Sequence, residues 1–235
     1  MLTANAVIKE LEKLSTPERA KASAWYFKTG KGQYGYGDIF WGITVPNERK
    51  VAKRHKDLPF AEIKKLLRHK VHECRFTGLL ILVTQYKAGD KAEQKRIAKF
   101  YLTHRQQVNN WDLVDSSAPY ILGPHLLDKD RSMLYRLVRS KNLWDRRIAV
   151  ISTFAFIRDG DYEDSLKLAK LLLEDKHDLI HKAVGWTLRE VGKKSLEAEE
   201  GFLKKHASIM PRTMLRYAIE KFPEKKRKSY LAKKS

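Results

Sequence analysis

Cysteine occurs once in these 235 residues, at Cys74, so no internal disulfide can form. That suits a reducing cytoplasm, and a lone cysteine reads more simply as a small buried residue than as a nucleophile. Long apolar runs are missing: the longest aliphatic stretch is Leu79–Val83, far below the roughly 20 residues needed to span a bilayer. The N-terminal Met-Leu-Thr-Ala-Asn-Ala has neither the charged start nor the apolar centre of a secretion signal. Acidic residues are scarce, 28 Asp and Glu against 48 Lys and Arg, which leaves a formal charge of +20. Solubility alone does not need such an excess. It points to a polyanionic partner, nucleic acid ahead of an anionic membrane surface. His69 and His72 are close together, but no His-Glu-x-x-His and no Cys/His set of zinc spacing occurs, so no metal site is expected. Gly-x-Ser-x-Gly is absent as well.

Strand alternation is almost missing, whereas 43% hydrophobic residues suffice for a packed core. Thr3–Leu14 places Ala6, Val7, Leu11 and Leu14 at helical spacing. Thr16-Pro17-Glu18 opens a second helix, with Thr at the N-cap and Pro at the first helical position. It ends in the aromatic cluster Trp25-Tyr26-Phe27. Further helices start at Pro46 and Leu58-Pro59, then near Val71, Asp90, Asn110, Asp130, Asn142, Asp161, His177, Ser195 and Pro211. The chain reads as all-α.

Overlaying these stretches shows a repeat. Arg75-Phe-Thr-Gly, Arg147-Ile-Ala-Val, Lys182-Ala-Val-Gly and Arg216-Tyr-Ala-Ile fall at matching points of alternate helices, and Trp-Asp recurs at 111–112 and 144–145. A spacing of roughly 33 to 39 residues suits a two-helix solenoid unit. The expectation is one HEAT-like-repeat domain over 1–235, an α-solenoid of stacked antiparallel helix pairs. Arg75, Arg147, Lys182 and Arg216 would then form a basic stripe along a concave groove. The glycine-dense segment inside 29–42, with Lys31, Tyr34 and Tyr36, is expected to be an ordered loop or a twisted hairpin. A phosphate-cradling loop is set aside because the Walker spacing is absent. The basic end, 222–235, reads either as a solvated tail or as a weak phosphate contact.

The stretch Asn109–Ile121 carries the chemistry. Trp111 and Asp115 are four residues apart, so on a helix the indole and the carboxylate share one face. A core Trp with an Asp satisfied by backbone amides is the simpler account. The sharper one is chemical. N3- or N7-alkylation gives a purine a positive charge and makes it a good leaving group. Cleaving its glycosidic bond then needs mainly a carboxylate to stabilise the oxocarbenium charge on the sugar. Indole faces attract the cationic base.

Trp111-Asp-Leu-Val-Asp115, Trp144-Asp-Arg-Arg147, Lys182-Ala-Val-Gly-Trp-Thr-Leu-Arg-Glu190 and Gly42-Ile-Thr-Val-Pro46 with Arg49 resemble the AlkD family of HEAT-like-repeat DNA glycosylases, in order over nearly the whole chain. The resemblance implies excision of N3- and N7-alkylated purines from double-stranded DNA, without metal or organic cofactor. It assigns Asp115 as catalytic carboxylate, Trp111 and Trp186 as lesion-facing aromatics, and Arg147 as an active-site arginine. Arg189 becomes a backbone contact and Tyr26 a further aromatic of the site. Thr44 stands where the family's best-known member has Gln. The AlkF and AlkG branch, which binds branched DNA through an inserted β-hairpin without excising bases, is the alternative that the 30–38 segment raises. A monomer in a bacterial cytoplasm, associated with the nucleoid when bound to DNA, is expected.

Overall fold

The computed structural model describes residues 2–232. Among them the chain is helical, and the only strand-like pairing is one parallel bridge between Ile39 and Val71. Its contacts gather into two compact units, one up to Ile121 and one from Leu122. No helix among the described residues is long and apolar enough to cross a membrane.

The first unit contains α1 (Ala4–Glu12), α2 (Pro17–Tyr26), α3 (Val45–Arg54), α4 (Phe60–Leu67), α5 (His72–Ala88), α6 (Lys91–Thr103) and α7 (Trp111–Asp115). Helix α5 is its axis and packs against α1, α3, α4, α6 and α7. The aliphatic run Leu79–Val83 explains this: α5 is apolar around most of its circumference, so it must be enclosed. Cys74 lies in its first turns, buried, its thiol pushed up to about 12 by burial and then by the Glu73 charge. It is packing, as its isolation in the sequence suggests.

The second unit contains α8 (Leu122–His125), α9 (Ser132–Leu137), α10 (Leu143–Ser152), α11 (Phe154–Arg158), α12 (Glu163–Leu171), α13 (Asp178–Lys194), α14 (Leu196–His206), α15 (Arg212–Ala218) and α16 (Glu224–Ala232). Here α13 is central and packs on α10, α11, α12, α14 and α15. Gly185 lets α15 come close, since a Cβ there would meet the Met214 carbonyl and the Tyr217 side chain.

Local signals set most helix starts. Asp90, Asn110, Asn142 and Ser195 each accept a hydrogen bond from a backbone N–H of the helix they open. Thr16 differs: its hydroxyl makes no cap bond, and its backbone N–H donates to the Trp41 carbonyl. The glycine-dense segment is a loop, not a hairpin. Gln33, Tyr36 and Asp38 each donate to the carbonyl three residues back, so the backbone is spent on successive turns and no ladder forms. Gly32 and Gly37 supply the positive φ these turns need. The basic end is ordered as α16 as far as residue 232, with Tyr230 buried against Phe222 at 5.8 Å. Lys233 and Lys234 lie outside the described residues.

Candidate nucleic-acid site

The site is built on α7, a helix of five residues that could not hold its shape alone. Asn110 opens it by accepting from Trp111 N at 2.8 Å, and Asn110 Nδ2 donates to Asp38 Oδ2 at 3.2 Å. Asp112 is pinned by His72 Nε2 at 2.7 Å, and His72 Nδ1 reaches Asp38 Oδ2 at 3.2 Å. Arg75 Nη2 donates to Asp38 Oδ1 at 2.6 Å. Two carboxylates and two cations thus lock α7 to the start of α5. Burial would lower the His72 pKa, but the Asp112 charge and the hydrogen bonds to Asp112 and Asp38 outweigh it and raise it to about 9. The buried ring is therefore an imidazolium at neutral pH.

Aromatic rings stack beside this network. Trp111 lies on Phe27 (5.2 Å, 14°), Phe27 on Phe40 (4.8 Å, 18°), and Phe40 on His72 (4.6 Å, 25°). One face of the Trp111 indole is thereby covered, and Tyr26 meets it edge-on at 6.0 Å. Such contacts add about 0.5–1.5 kcal/mol each beyond area burial, and the imidazolium at the far end of the stack gains from the ring quadrupoles. Tyr26 itself is 57% exposed. Asp115, at the last position of α7, is half-buried, one turn above Trp111.

The residues after Phe40 are held by another buried carboxylate. Glu73 accepts from Trp41 N (3.0 Å), Gly42 N (2.7 Å) and Ile43 N (3.3 Å). Gly42 takes φ 75 against the first turn of α2, where a Cβ would meet the Thr16 carbonyl and Ala20 N. This clamp sets Thr44, which opens α3 and lines a cleft of about 420 Å³ together with Arg19, Ser23, Trp25 and Tyr26. Nearby Glu48 is buried, and burial, then the Glu73 charge, raises its pKa well above the usual carboxylate range.

In the second unit, Trp186 is half-buried, meets Phe154 edge-on at 4.7 Å, and donates from Nε1 to Glu190 at 3.0 Å. Arg189 is paired with Glu220. Lys182 pairs with Asp178 at 2.6 Å, and Arg216 is exposed. Lys31 and Tyr36 are exposed in the first unit, while Tyr34 is half-buried.

Arg75 and Arg147 are not the surface cations expected of a stripe. Arg75 is 6% exposed, and its Nη1 donates to the carbonyls of His69 (3.1 Å) and Lys70 (3.3 Å). Arg147 is 4% exposed, with Nη1 donating to Leu179 O at 2.6 Å. The repeat is real, but its register is one residue away. Arg146 Nη1 donates to Ser140 O and Lys141 O, six and five residues back, as Arg75 does, and its Nε donates to Asp175 at 2.6 Å. His181 Nε2 donates to Asp175 O, again six back, at 2.5 Å. Arg75, Arg146 and His181 are each the fourth residue of α5, α10 and α13. These donors satisfy loop carbonyls at helix entrances, a structural need of every such turn.

The network residues Asp38, His72 and Asp112, and the stacked Phe27 and Phe40, were not singled out as site residues from the sequence. The available hint was the Trp-Asp pair at 111–112, whose acid needed a partner.

No curated protein matches. Among solved structures, a chain described as a predicted DNA alkylation repair enzyme from Enterococcus faecalis is similar, with a TM-score of 0.70 at 16% identity, over 89% of this chain and 97% of that one. At that identity the likeness shows the fold, all-α of the α-solenoid class. Residues 7–222 match the family profile described as DNA alkylation repair enzyme, which is nearly the whole chain. The chain belongs to the DNA alkylation repair enzyme family.

Proposed function

We propose that this protein excises N3- and N7-alkylated purines from double-stranded DNA, leaving an abasic site. The observation that carries the reading is α7. It presents a half-exposed Asp115 one turn from an indole whose other face is fixed on Phe27. As the C1′–N bond breaks, its electron pair leaves with the base and cancels the base's positive charge. The sugar takes up the positive charge, Asp115 stabilises it, and water adds at C1′ and gives up a proton to solvent. No external acid has to protonate the leaving group. A neutral purine gains nothing from this arrangement, so selectivity and catalysis share one cause.

Tyr26 supplies a second aromatic edge beside Trp111, and Thr44 a hydroxyl in the adjoining cleft. Trp186 is kept as an aromatic contact to the lesion, and Arg189, Lys182 and Arg216 as backbone contacts. For Arg147, burial favours a positioning part: it holds Leu179 O in the first turn of α13, the helix that carries Trp186. The +20 charge supports DNA as partner. Incubation with methylated duplex, assayed for released 3-methyladenine and 7-methylguanine, tests the reading. No release above a heat-inactivated control would end it.

Non-catalytic binding of branched DNA is the second reading, favoured by the 67% exposure of Tyr36 in the glycine-dense loop. Tyr36→Ala would then weaken binding to a four-way junction while leaving plain duplex binding unchanged.

A further inference from the structure

Beside α7 lies a smaller cleft that the reading above does not use. It has a volume of about 240 Å³, and Arg68, His69, Arg75, Gln106, Gln107 and Asn109 line it. No carboxylate lines it. All its polar side chains can donate hydrogen bonds to an anion. His69 Nδ1 accepts from Val71 N at 3.1 Å, so the neutral ring carries its proton on Nε2 and is a donor there. Burial, and then the charges of Lys70 and Arg75, hold the His69 pKa below its ordinary value.

One donor has nothing to do. Arg75 spends Nη1 on two carbonyls and Nη2 on Asp38, but its buried Nε–H has no partner. A buried guanidinium N–H without an acceptor is costly, and here it belongs to a side chain in the wall of a cleft that no carboxylate lines. The Asn109 amide is also incompletely satisfied, its Oδ1 being buried and unpaired. Such an amide can turn over to offer N–H instead.

We propose that this cleft is a phosphate site that holds one phosphodiester of a DNA backbone next to the helix bearing Trp111 and Asp115. Non-bridging oxygens would accept from Arg75 Nε–H, His69 Nε2–H and the Arg68 guanidinium. The mount is shared with the candidate site: Asp38 accepts from both Arg75 and Asn110, the residue that opens α7. A phosphate seated here fixes the strand relative to Asp115. This goes beyond the assignment of Arg75 to an open stripe, and it rests on the DNA-binding part of the proposed function only.

Undamaged duplex tests it separately from excision. Each phosphate contact adds about 0.9 to the slope of log binding constant against log salt. Arg68→Ala, an exposed position, should lower that slope by about this amount. In NMR spectra of the full chain, the Arg75 Nε–H and His69 ring signals should move on adding duplex, and move less in Arg68→Ala. Signals that stay put on adding duplex, or an unchanged slope in Arg68→Ala, overturn the proposal. A second arm titrates inorganic phosphate alone. Saturation of the same signals at low concentration, with the duplex slope unaffected by Arg68→Ala, would assign the cleft to free phosphate and overturn the backbone assignment. Base release from methylated DNA plays no part in either arm, so each reading can fail without the other.

Discussion

His72 and Asp112 meet at 2.7 Å between α5 and α7, and this contact holds the five-residue helix on which Trp111 and Asp115 stand. The pair lies inside a larger set with Asp38, Arg75 and Asn110, in which two positive and two negative side chains offset one another. Removing either charge of such a buried set leaves the other uncompensated, which commonly costs 3–5 kcal/mol.

The His72 imidazolium makes stability depend on pH. Its pKa rises from 6.5 to about 9 on folding, so the native state binds the proton more tightly than the unfolded chain. The contribution, roughly 3 kcal/mol, is complete below about pH 6.5 and is lost as pH rises through 9. Urea denaturation from pH 6 to 9.5 should show this decline, and His72→Gln should flatten it. A wild-type profile that stays level across the range would contradict the assignment.

Asp115→Asn should abolish most of the proposed excision while leaving duplex affinity within about twofold. Loss of a pre-aimed electrostatic group lowers rates by about 100- to 1000-fold. Single-turnover release of 7-methylguanine, with binding measured in parallel, separates the two effects. Equal losses of rate and affinity would make Asp115 a structural residue.

Glu73→Ala should destabilise the fold by about 3 kcal/mol or more, because three N–H groups at 41–43 lose their acceptor together. Glu73→Gln retains one acceptor oxygen and should cost less. Amide hydrogen exchange at Gly42 and Ile43 provides the local readout: protection should drop sharply in the alanine variant and only partly in the glutamine variant.

Glu199 predicts a stabilising change. Burial, then the charge of Glu200, raises its pKa to about 8, and its Oε1 has no hydrogen-bond partner. The unfolded chain releases this proton near pH 4.5 and the folded chain near 8, so stability declines as pH rises between those values. Glu199→Gln should remove this contribution to the slope and gain about 2 to 3 kcal/mol at neutral pH. Thermal melts of both proteins at pH 5 and pH 8 decide the matter, since the gain should be several times larger at pH 8 than at pH 5.

Helix starts were legible along the chain because capping is local. Asn110, Asn142, His177 and Ser195 are N-caps within a few residues of the groups they satisfy. Trp111 and Asp115 were legible as a pair for the same reason, since one helical turn brings them onto one face. The repeat was visible as well, but its register slipped. A sequence overlay sees that Arg146 and Arg147 are both basic, and it does not see which of them reaches the carbonyls of Ser140 and Lys141.

What the sequence by itself determined is the all-α fold class, the places where helices begin, a basic protein suited to a polyanion, and the Trp-to-Asp spacing of α7. Only the tertiary structure decided that Arg75 and Arg147 are interior donors, that Phe27 covers one face of Trp111, and that Asp38, His72 and Asp112 form one charged lock. The physical reason is separation along the chain. Residues 38, 72 and 112 meet because hydrophobic burial of α5 brings their segments together. The low dielectric created there then makes full pairing of their charges obligatory.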